Sequence, residues 1–311
     1  MIFIPDPHHD PYYNMALEEY MFSHRTEEDV LLLWRNDPSV VCGSFQNIFA
    51  EVDLTAASQN GIALVRRFSG GGTVYHDLGN LNYTLIRGYC PDQDQYAPFL
   101  EPVVRALNHL GIPTERNRQS DIAIHGLKIS GSAQRIAGGR HLHHGTLLYR
   151  CDLGKLRSAA NGARQDYTSK GTLSVPWPVT NIADETGLTW SPQQFQDAFL
   201  GALQEEFPIR KCELTEEEER EIHRLADEKY RSWEWIFGRS PRFTCRRSVV
   251  LEGEPYQMTF EAVHGVIQEI AFSPDIPALS ALLTGRRLNP AEIREVLTQN
   301  GISPAFADNL F

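Results

Sequence analysis

The sequence has no apolar run near the ~20 residues needed to cross a bilayer, so a helical membrane span is not expected. Cysteine is scarce and scattered: Cys42, Cys90, Cys151, Cys212 and Cys245, with no CxxC pair. A disulfide scaffold or a zinc ribbon needs closely spaced thiols, so neither fits, and reduced thiols in a reducing compartment are expected. Positive charge is also short. Lys and Arg number 29 against 40 Asp and Glu, a formal net charge of −11 at pH 7. That field repels a polyanion and argues against nucleic-acid binding; an acidic protein partner would have to meet a local basic cluster. The first residues, Met1-Ile2-Phe3-Ile4-Pro5-Asp6, carry no basic leader region and no lipidation motif, which sets the expectation of a cytoplasmic protein.

What is present is the composition of an ordinary soluble protein, 41% hydrophobic and 22% charged over 311 residues. That length can bury one large core, or one core plus a satellite. Asp10-Pro11 reads as a cap and first-turn proline for a helix. Strands are expected at 2–4, 31–34, 40–42, 62–67, 81–86, 121–125, 127–129 and 141–149, with a short helix at 53–59 and amphipathic helices at 96–110 and 192–207. Residues 154–180 read as irregular and polar. The charged stretch 213–231, with Glu216-Glu217-Glu218-Glu219, reads as a solvated linking helix. Strands near 243–251, 256–262 and 266–272 and helices near 276–283 and 290–299 then make a small α+β unit. The expected fold class is α+β: a mixed-sheet domain over 1–210, a linking helix over 211–232 and a C-terminal unit over 233–311.

The stretch 66–80 is the densest in chemistry. Arg66-Arg67 close an apolar run, Gly70-Gly71-Gly72 follow, and Thr73-Val74-Tyr75-His76 lead into the next strand. Glycines leave backbone N–H groups uncovered, and two adjacent cations favour an anion there. On a strand the arginines point to opposite faces, so one of them enters the site. The P-loop pattern GxxxxGK[ST] is absent, and the flanking segments read as strand on both sides, which a dinucleotide fingerprint does not allow. A second candidate is Lys128-Ile129-Ser130-Gly131-Ser132-Ala133, where small strand residues mark close approach of a ligand or backbone. His141 and His143 share one strand face and His144 points away, so three metal ligands from this run are awkward and structural roles are expected. Asp121 opens a strand near Lys128 and could hold a hydrated Mg²⁺ beside phosphates.

Taken together, residues 66–80, the Lys128–Ala133 run, His143-His144-Gly145-Thr146 and the upstream Gly43-x-x-Gln46-Asn47 resemble the lipoate–protein ligase A and lipoyltransferase family. Trp233-Glu234-Trp235-Ile236-Phe237-Gly238 is similar to the lead-in to that family's C-terminal accessory domain. The resemblance implies a biotinyl/lipoyl-ligase-type catalytic domain. The reaction it implies is lipoate plus ATP giving lipoyl-AMP, followed by acylation of a lysine on a lipoyl domain. The implied partners are the lipoyl domains of 2-oxoacid dehydrogenase complexes and the glycine cleavage H protein, met by a monomer with no nucleic acid and no membrane involved. It implies Lys128 as the catalytic residue, in contact with both the phosphate and the acyl carbonyl. Arg67, Gly71, Gly72, Thr73, Val74 and Tyr75 would hold ATP and the adenylate. Ser69, His76, Gly131, Arg135 and His144 would line the lipoate pocket, with Asp121 as the Mg²⁺ ligand.

Three relatives and one non-enzyme compete. Octanoyl transferases of this fold use a cysteine shortly before the strand of the pocket lysine, and residues 116–128 contain none. Biotin–protein ligases carry a different, arginine-rich glycine loop. A lipoyltransferase that takes only preformed lipoyl-AMP shares the motifs quoted, and a non-catalytic lipoate- or adenylate-binding protein would not require Arg67 and Lys128. The hairpin before Lys128 is short for a ligase: Asp121 and Lys128 are seven residues apart.

Overall fold

The computed structural model describes residues 1–118, 120–159, 166–175 and 177–311, and every count and absence below is of these. Part of the stretch expected to be irregular, residues 160–165 and 176, lies outside them.

The chain begins with β1 (Ile2–Pro5), α1 (Pro11–His24), β2 (Val30–Trp34), β3 (Ser39–Cys42), α2 (Ile48–Glu51), α3 (Leu54–Gln59), β4 (Ala63–Arg66), β5 (Val74–His76) and β6 (Asn80–Gly88). It continues through α4 (Ala97–His109), β7 (Glu115–Asn117), β8 (Asp121–Ile124), β9 (Leu127–Ala137), β10 (Arg140–Leu148), α5 (Leu153–Ala159), β11 (Tyr167–Ser169), α6 (Ile182–Thr186) and α7 (Pro192–Glu206). After β12 (Arg210–Lys211) come α8 (Glu216–Leu225), a π turn (Ala226–Tyr230), α9 (Trp233–Ile236), β13 (Phe243–Leu251), β14 (Glu254–Val263), β15 (Val266–Ser273), α10 (Pro277–Leu283), α11 (Pro290–Gln299) and a 3₁₀ turn (Pro304–Leu310).

The main sheet is mixed, in the order β12-β1-β2-β6-β10-β9-β8-β7. Its central strands are apolar on both faces because both faces are covered. Leu31 and Leu33 of β2 pack with Leu81, Tyr83 and Leu85 of β6 against Phe99, Val103, Phe195 and Phe199 of α4 and α7. Val30, Leu32 and Trp34, the alternate residues, join Tyr13, Leu17 and Met21 of α1 on the other side, with Val41, Val65 and Phe68. Helix α1 starts where Asp10 accepts from the Tyr12 N–H, as the Asp-Pro pair predicts.

A second sheet, β4-β3-β5, lies beside this one and carries the glycine stretch. Strands β4 and β5 do not pair with each other: β3 sits between them, parallel to β4 and antiparallel to β5. The glycines therefore form a crossover past the end of β3 and not a hairpin turn.

Three other expectations are corrected. Strand β9 runs on to Ala137, because Arg140–Gly145 of β10 give its C-terminal half a partner. The stretch after residue 150 contributes α5 and the edge strand β11, which pairs with β13. The charged helix is not solvated all round. Ile222, Ala226 and Tyr230 bury one face of it on α1, Tyr13 donates to Glu219, and Lys229 and Tyr230 both reach Glu19, at 2.5 and 2.6 Å.

The C-terminal strands and helices form the sheet β11-β13-β14-β15 backed by α10 and α11. Its core does not stand apart. Phe243, Phe260, Leu283 and Leu297 belong to one apolar cluster with Ile48, Phe49, Val52 and Ile62 from the glycine-loop side.

Candidate active site

Arg66 and Arg67 do separate, as strand alternation requires. Arg66 is fully buried and points away from the cleft: Nε donates to Ile236 O, Nη1 to Gly43 O and Gln46 O, and Nη2 to the Ser240 hydroxyl. Arg67 turns to the cleft. Its guanidinium is spent on the loop itself, donating to Gly70 O (2.6 Å) and Gly72 O (2.7 Å) through Nη2, to Val41 O through Nη1 and to Ser69 Oγ through Nε. Burial pushes its pKa down to about 10, so it stays charged at neutral pH. Two glycines here have no room for a side chain: a Cβ on Gly43 would lie 2.2 Å from Gly71 O, and Gly71 holds φ +87° with Arg67 Nη2 2.9 Å from its Cβ position.

Thr73 is fastened from above. Its N–H donates to Ser174 Oγ (2.9 Å), its hydroxyl to Gln46 Oε1, and Gln46 Nε2 also donates to Ser174 Oγ. Residues 172–175 thus lie across the glycine loop, further held by Thr172 N to Phe45 O and Ser174 N to Glu51 Oε1.

Lys128 occupies the opposite wall. The register of β8 against β9 shifts beside it, between Ile122 and Ala123. Its backbone clasps the chain at Pro178 O and Thr180 N. The ammonium lies 3.0 Å from Asp121 Oδ1. A Cβ on Gly131 would fall 3.0 Å from both Cε and Nζ of Lys128, which is the close approach that the small run predicts.

Below the lysine, His144 is fixed on both sides. Nδ1 meets Glu18 Oε1 at 2.8 Å and Nε2 meets Ser69 Oγ at 2.8 Å. A carboxylate accepts only, so Nδ1 carries the proton and Nε2 accepts from Ser69. Glu18 also accepts from the Thr84 hydroxyl, which accepts from Trp34 Nε1. The order carboxylate, imidazole, hydroxyl is that of a hydrolytic triad. Ser69 is only 1% exposed and does not line the cleft, so the set holds the ring and the loop in place. His141 and His143 turn to the other face, against Phe99.

The cleft has two lobes that meet at Lys128. The first, about 380 Å³, is lined by Arg67, Gly71, Gly72, Thr73, Val74, His76, Asp121, Lys128, Gly131 and His144, all expected, and by Met15, Trp34, Val41, Asn82 and Thr146, which were not. The second, about 620 Å³, shares Thr73, Val74, Lys128, Gly131, Thr146, Ser174 and Val175 and adds Tyr75, Leu148, Leu156, Arg157 and Trp177. Tyr75 lines only this second lobe. Ser69 and Arg135, expected in the lipoate pocket, line neither lobe. Arg135 shares a strand face with Gly131 and Ala133 but sits too far along β9, where it donates to Phe68 O and stacks over the Phe68 ring. Glu18 had a readable signal: it lies three residues after Met15 and four before Phe22, on the apolar stripe of α1. Residues 173–175 and Trp177 had none, because they reach the site through the fold alone. None of the five cysteines lines either lobe, and no cluster of three or more His, Cys, Asp or Glu side chains could hold a metal among the described residues.

The family model for the lipoyl protein ligase A/B catalytic domain matches residues 10–204. The chain is 33% identical over 309 residues to the lipoate–protein ligase LplJ of Bacillus subtilis, covering 96% of this chain and 93% of that one. It is 32% identical over 311 residues to lipoate–protein ligase 1 of Staphylococcus aureus, covering 96% and 94%. The chain belongs to the lipoate–protein ligase family. It is an enzyme of the ATP-dependent ligase class, with the mixed-sheet fold of that family. Among solved structures it is similar to a Thermoplasma acidophilum lipoate protein ligase with bound lipoic acid, at 28% identity and a TM-score of 0.64 over 76% of this chain and 98% of that one. It is similar to lipoate–protein ligase A bound with ATP at 29% identity and the same TM-score and coverage. A bipartite T. acidophilum ligase, studied with its E2 lipoyl domain, gives 28% identity and a TM-score of 0.65 over 80% and 98%.

Proposed function

We propose that this ligase binds lipoate in the first lobe and the nucleotide in the second, so that carboxylate and α-phosphorus meet at Lys128. The single observation that carries this reading is that one ammonium stands where the two lobes join, with Gly131 cleared of bulk beneath it. A lipoate carboxylate oxygen attacks the α-phosphorus of ATP, the bond to the bridging oxygen breaks, and pyrophosphate leaves. In the second step the target lysine amine attacks the anhydride carbonyl, AMP leaves, and the amine proton is lost. All reactants of the first step are anionic, so preorganised cations and N–H donors supply the catalysis without an enzyme nucleophile. Lys128 neutralises the phosphate and then polarises the carbonyl. The Thr73–Val74 backbone, shared by both lobes, borders the phosphates, with Arg67 holding the glycines before it in shape from behind.

Asp121 is the one carboxylate lining the first lobe, and Lys128 and Ser120 both engage its Oδ1. A single carboxylate 3.0 Å from the ammonium at which the two lobes join suits Mg²⁺ carried in with the phosphates, since that ion keeps most of its waters. When bound, Mg²⁺ would lower the charge on the leaving pyrophosphate, with Asp121 Oδ2 as its protein ligand.

In this reading residues 1–210 are catalytic, 211–232 link, and 233–311 form the accessory unit, which borrows β11. The partners are lipoyl domains of 2-oxoacid dehydrogenase complexes and the glycine cleavage H protein, met by a cytoplasmic monomer. The support for lipoyl domains is the T. acidophilum ligase and its E2 domain; no helix among the described residues is long and apolar enough to cross a membrane.

Purified protein given ATP, Mg²⁺, lipoate and a lipoyl domain should lipoylate the domain. Lys128→Ala should lose at least about 10²-fold in rate, the scale of removing one preorganised charge, while keeping its circular dichroism. Activity with synthetic lipoyl-AMP but not with ATP would place the chain among transferases, and failure with both would end the enzyme reading.

A further inference from the structure

The floor of the first lobe is apolar on Met15, Trp34 and Val41, and one polar group there differs from its neighbours. His76 is 3% exposed, and its Nε2 is buried with no hydrogen-bond partner among the described residues. Its tautomer follows from a chain of amides anchored on backbone carbonyls. Asn14 Nδ2 faces Arg35 O at 3.2 Å and His8 O at 3.4 Å, so it is a donor; the same nitrogen meets Asn36 Oδ1 at 2.9 Å. Asn36 must therefore turn its NH₂ to His76 Nδ1, 3.1 Å away. Nδ1 accepts, and the ring proton sits on Nε2. Both asparagines are buried; a flipped Asn14 would set its oxygen against two carbonyl oxygens, and a flipped Asn36 would set its NH₂ against that of Asn14.

The ring is also kept neutral. Burial, the Arg67 guanidinium and the neighbouring His144 push its pKa down to about 3. The result is a neutral N–H donor that water does not reach, beside the edge-on Trp34 ring at 5.7 Å. Such a donor stays unsatisfied until a ligand brings an acceptor to the floor of the lobe.

The position of this donor matches the far end of an acyl tail. Thr146 Oγ1 accepts from Gly131 N next to Lys128, and Thr146 of β10 faces Asn82 of β6, which faces Trp34 of β2, two strand spacings or roughly 10 Å across the sheet. His76 packs on the Trp34 ring and meets Asn36 just past it. A carboxylate held at Lys128 thus sends its tail across Asn82 and Trp34 towards His76. In lipoate that tail ends in a five-membered disulfide ring, whose sulfurs are weak acceptors. In octanoate, a straight acid of the same carbon count, it ends in methylene and methyl groups that accept nothing.

We infer that His76 is a specificity-determining residue: its Nε2–H donates to a ring sulfur of the bound lipoyl tail and so favours lipoate over octanoate. Asn36 acts through it as a positioning residue that sets the tautomer. The inference rests on the ligase reading above. Wild-type inactivity with every acid would sink that reading, whereas activity without the discrimination described next would sink only this one.

The test measures acid-dependent ATP–pyrophosphate exchange with lipoate and with octanoate, in the wild type and in His76→Phe, which keeps a ring and removes the donor. The ratio of lipoate kcat/KM to octanoate kcat/KM should fall about 3- to 10-fold in the variant, mostly through the KM for lipoate. An equal loss for both acids, or an unchanged ratio, overturns the inference. Should His76→Phe not fold, ¹⁵N NMR of the wild-type imidazole decides. A protonated Nε2 whose signal moves with lipoate and not with octanoate supports the donor role. A proton on Nδ1, or the same movement with both acids, overturns it.

Discussion

At position 131 any side chain would press on the ammonium of Lys128, since a Cβ there meets both Cε and Nζ at 3.0 Å. A side chain at 131 would thus make the lysine head shift by a few tenths of an ångström. Buried histidines make the second residue-scale point. Burial holds His76 and His143 neutral in the fold, with the pKa of His76 down at about 3. An unfolded chain protonates them near the ordinary value of about 6.5. A group depressed in this way contributes stability that is complete above pH 6.5 and is lost as the pH falls towards 3. At about 1.4 kcal/mol per pH unit, His76 alone should cost roughly 2 kcal/mol between pH 6.5 and 5. Urea titrations at the two pH values should show the wild type losing about that much more stability than His76→Phe over the interval.

At the scale of elements, the glycine stretch works because it is a crossover. A hairpin would have placed β4 against β5 and turned the glycines to solvent. With β3 between them, the loop passes the mouth of the cleft and Arg67 can grip it from inside. Arg66 ties this sheet to the segment after α9 by donating to Ile236 O and Ser240 Oγ, while Trp235 Nε1 donates back to Arg66 O at 2.7 Å. Its removal strands the carbonyls of Gly43, Gln46 and Ile236 in the interior. Arg66→Ala should destabilise the protein by about 3 kcal/mol, the cost of breaking a buried hydrogen-bonded charge. Limited proteolysis should then cut first around residues 233–241; a variant with wild-type stability would mean that these contacts carry little. Strands, caps and the long helices were readable because each carries its own period or stop signal. The roles of residues 173–175 and Trp177 were not, because they depend on which elements pack together.

For the whole molecule, the apolar cluster shared by Phe49, Phe243 and their neighbours joins the C-terminal unit to the glycine-loop sheet. A small α+β unit with its own core would unfold separately. A shared core makes the two melt together, so far-UV circular dichroism and tryptophan fluorescence should report coincident transitions in denaturant. Two resolved midpoints would show that the unit is autonomous. The net charge of −11 leaves an acidic lipoyl domain dependent on basic groups near the cleft, and Arg157 in the second lobe and Arg118, stacked 3.5 Å over Trp177, stand there.

The sequence by itself determined the long helices and most of the strands, the inward turn of one arginine of the pair, and the conjunction of glycine loop and small-residue lysine strand that resembles a lipoate ligase. These are local properties of side-chain size, alternation and charge. Only the tertiary structure decided that Arg67 braces the loop, that Ser69 and Arg135 stand outside the cleft, that Glu18 holds His144 from behind, and that Trp34, residues 173–175 and Trp177 line the cleft. Those outcomes depend on which distant groups share one buried volume, where each polar atom must find a partner, and no local pattern encodes that pairing.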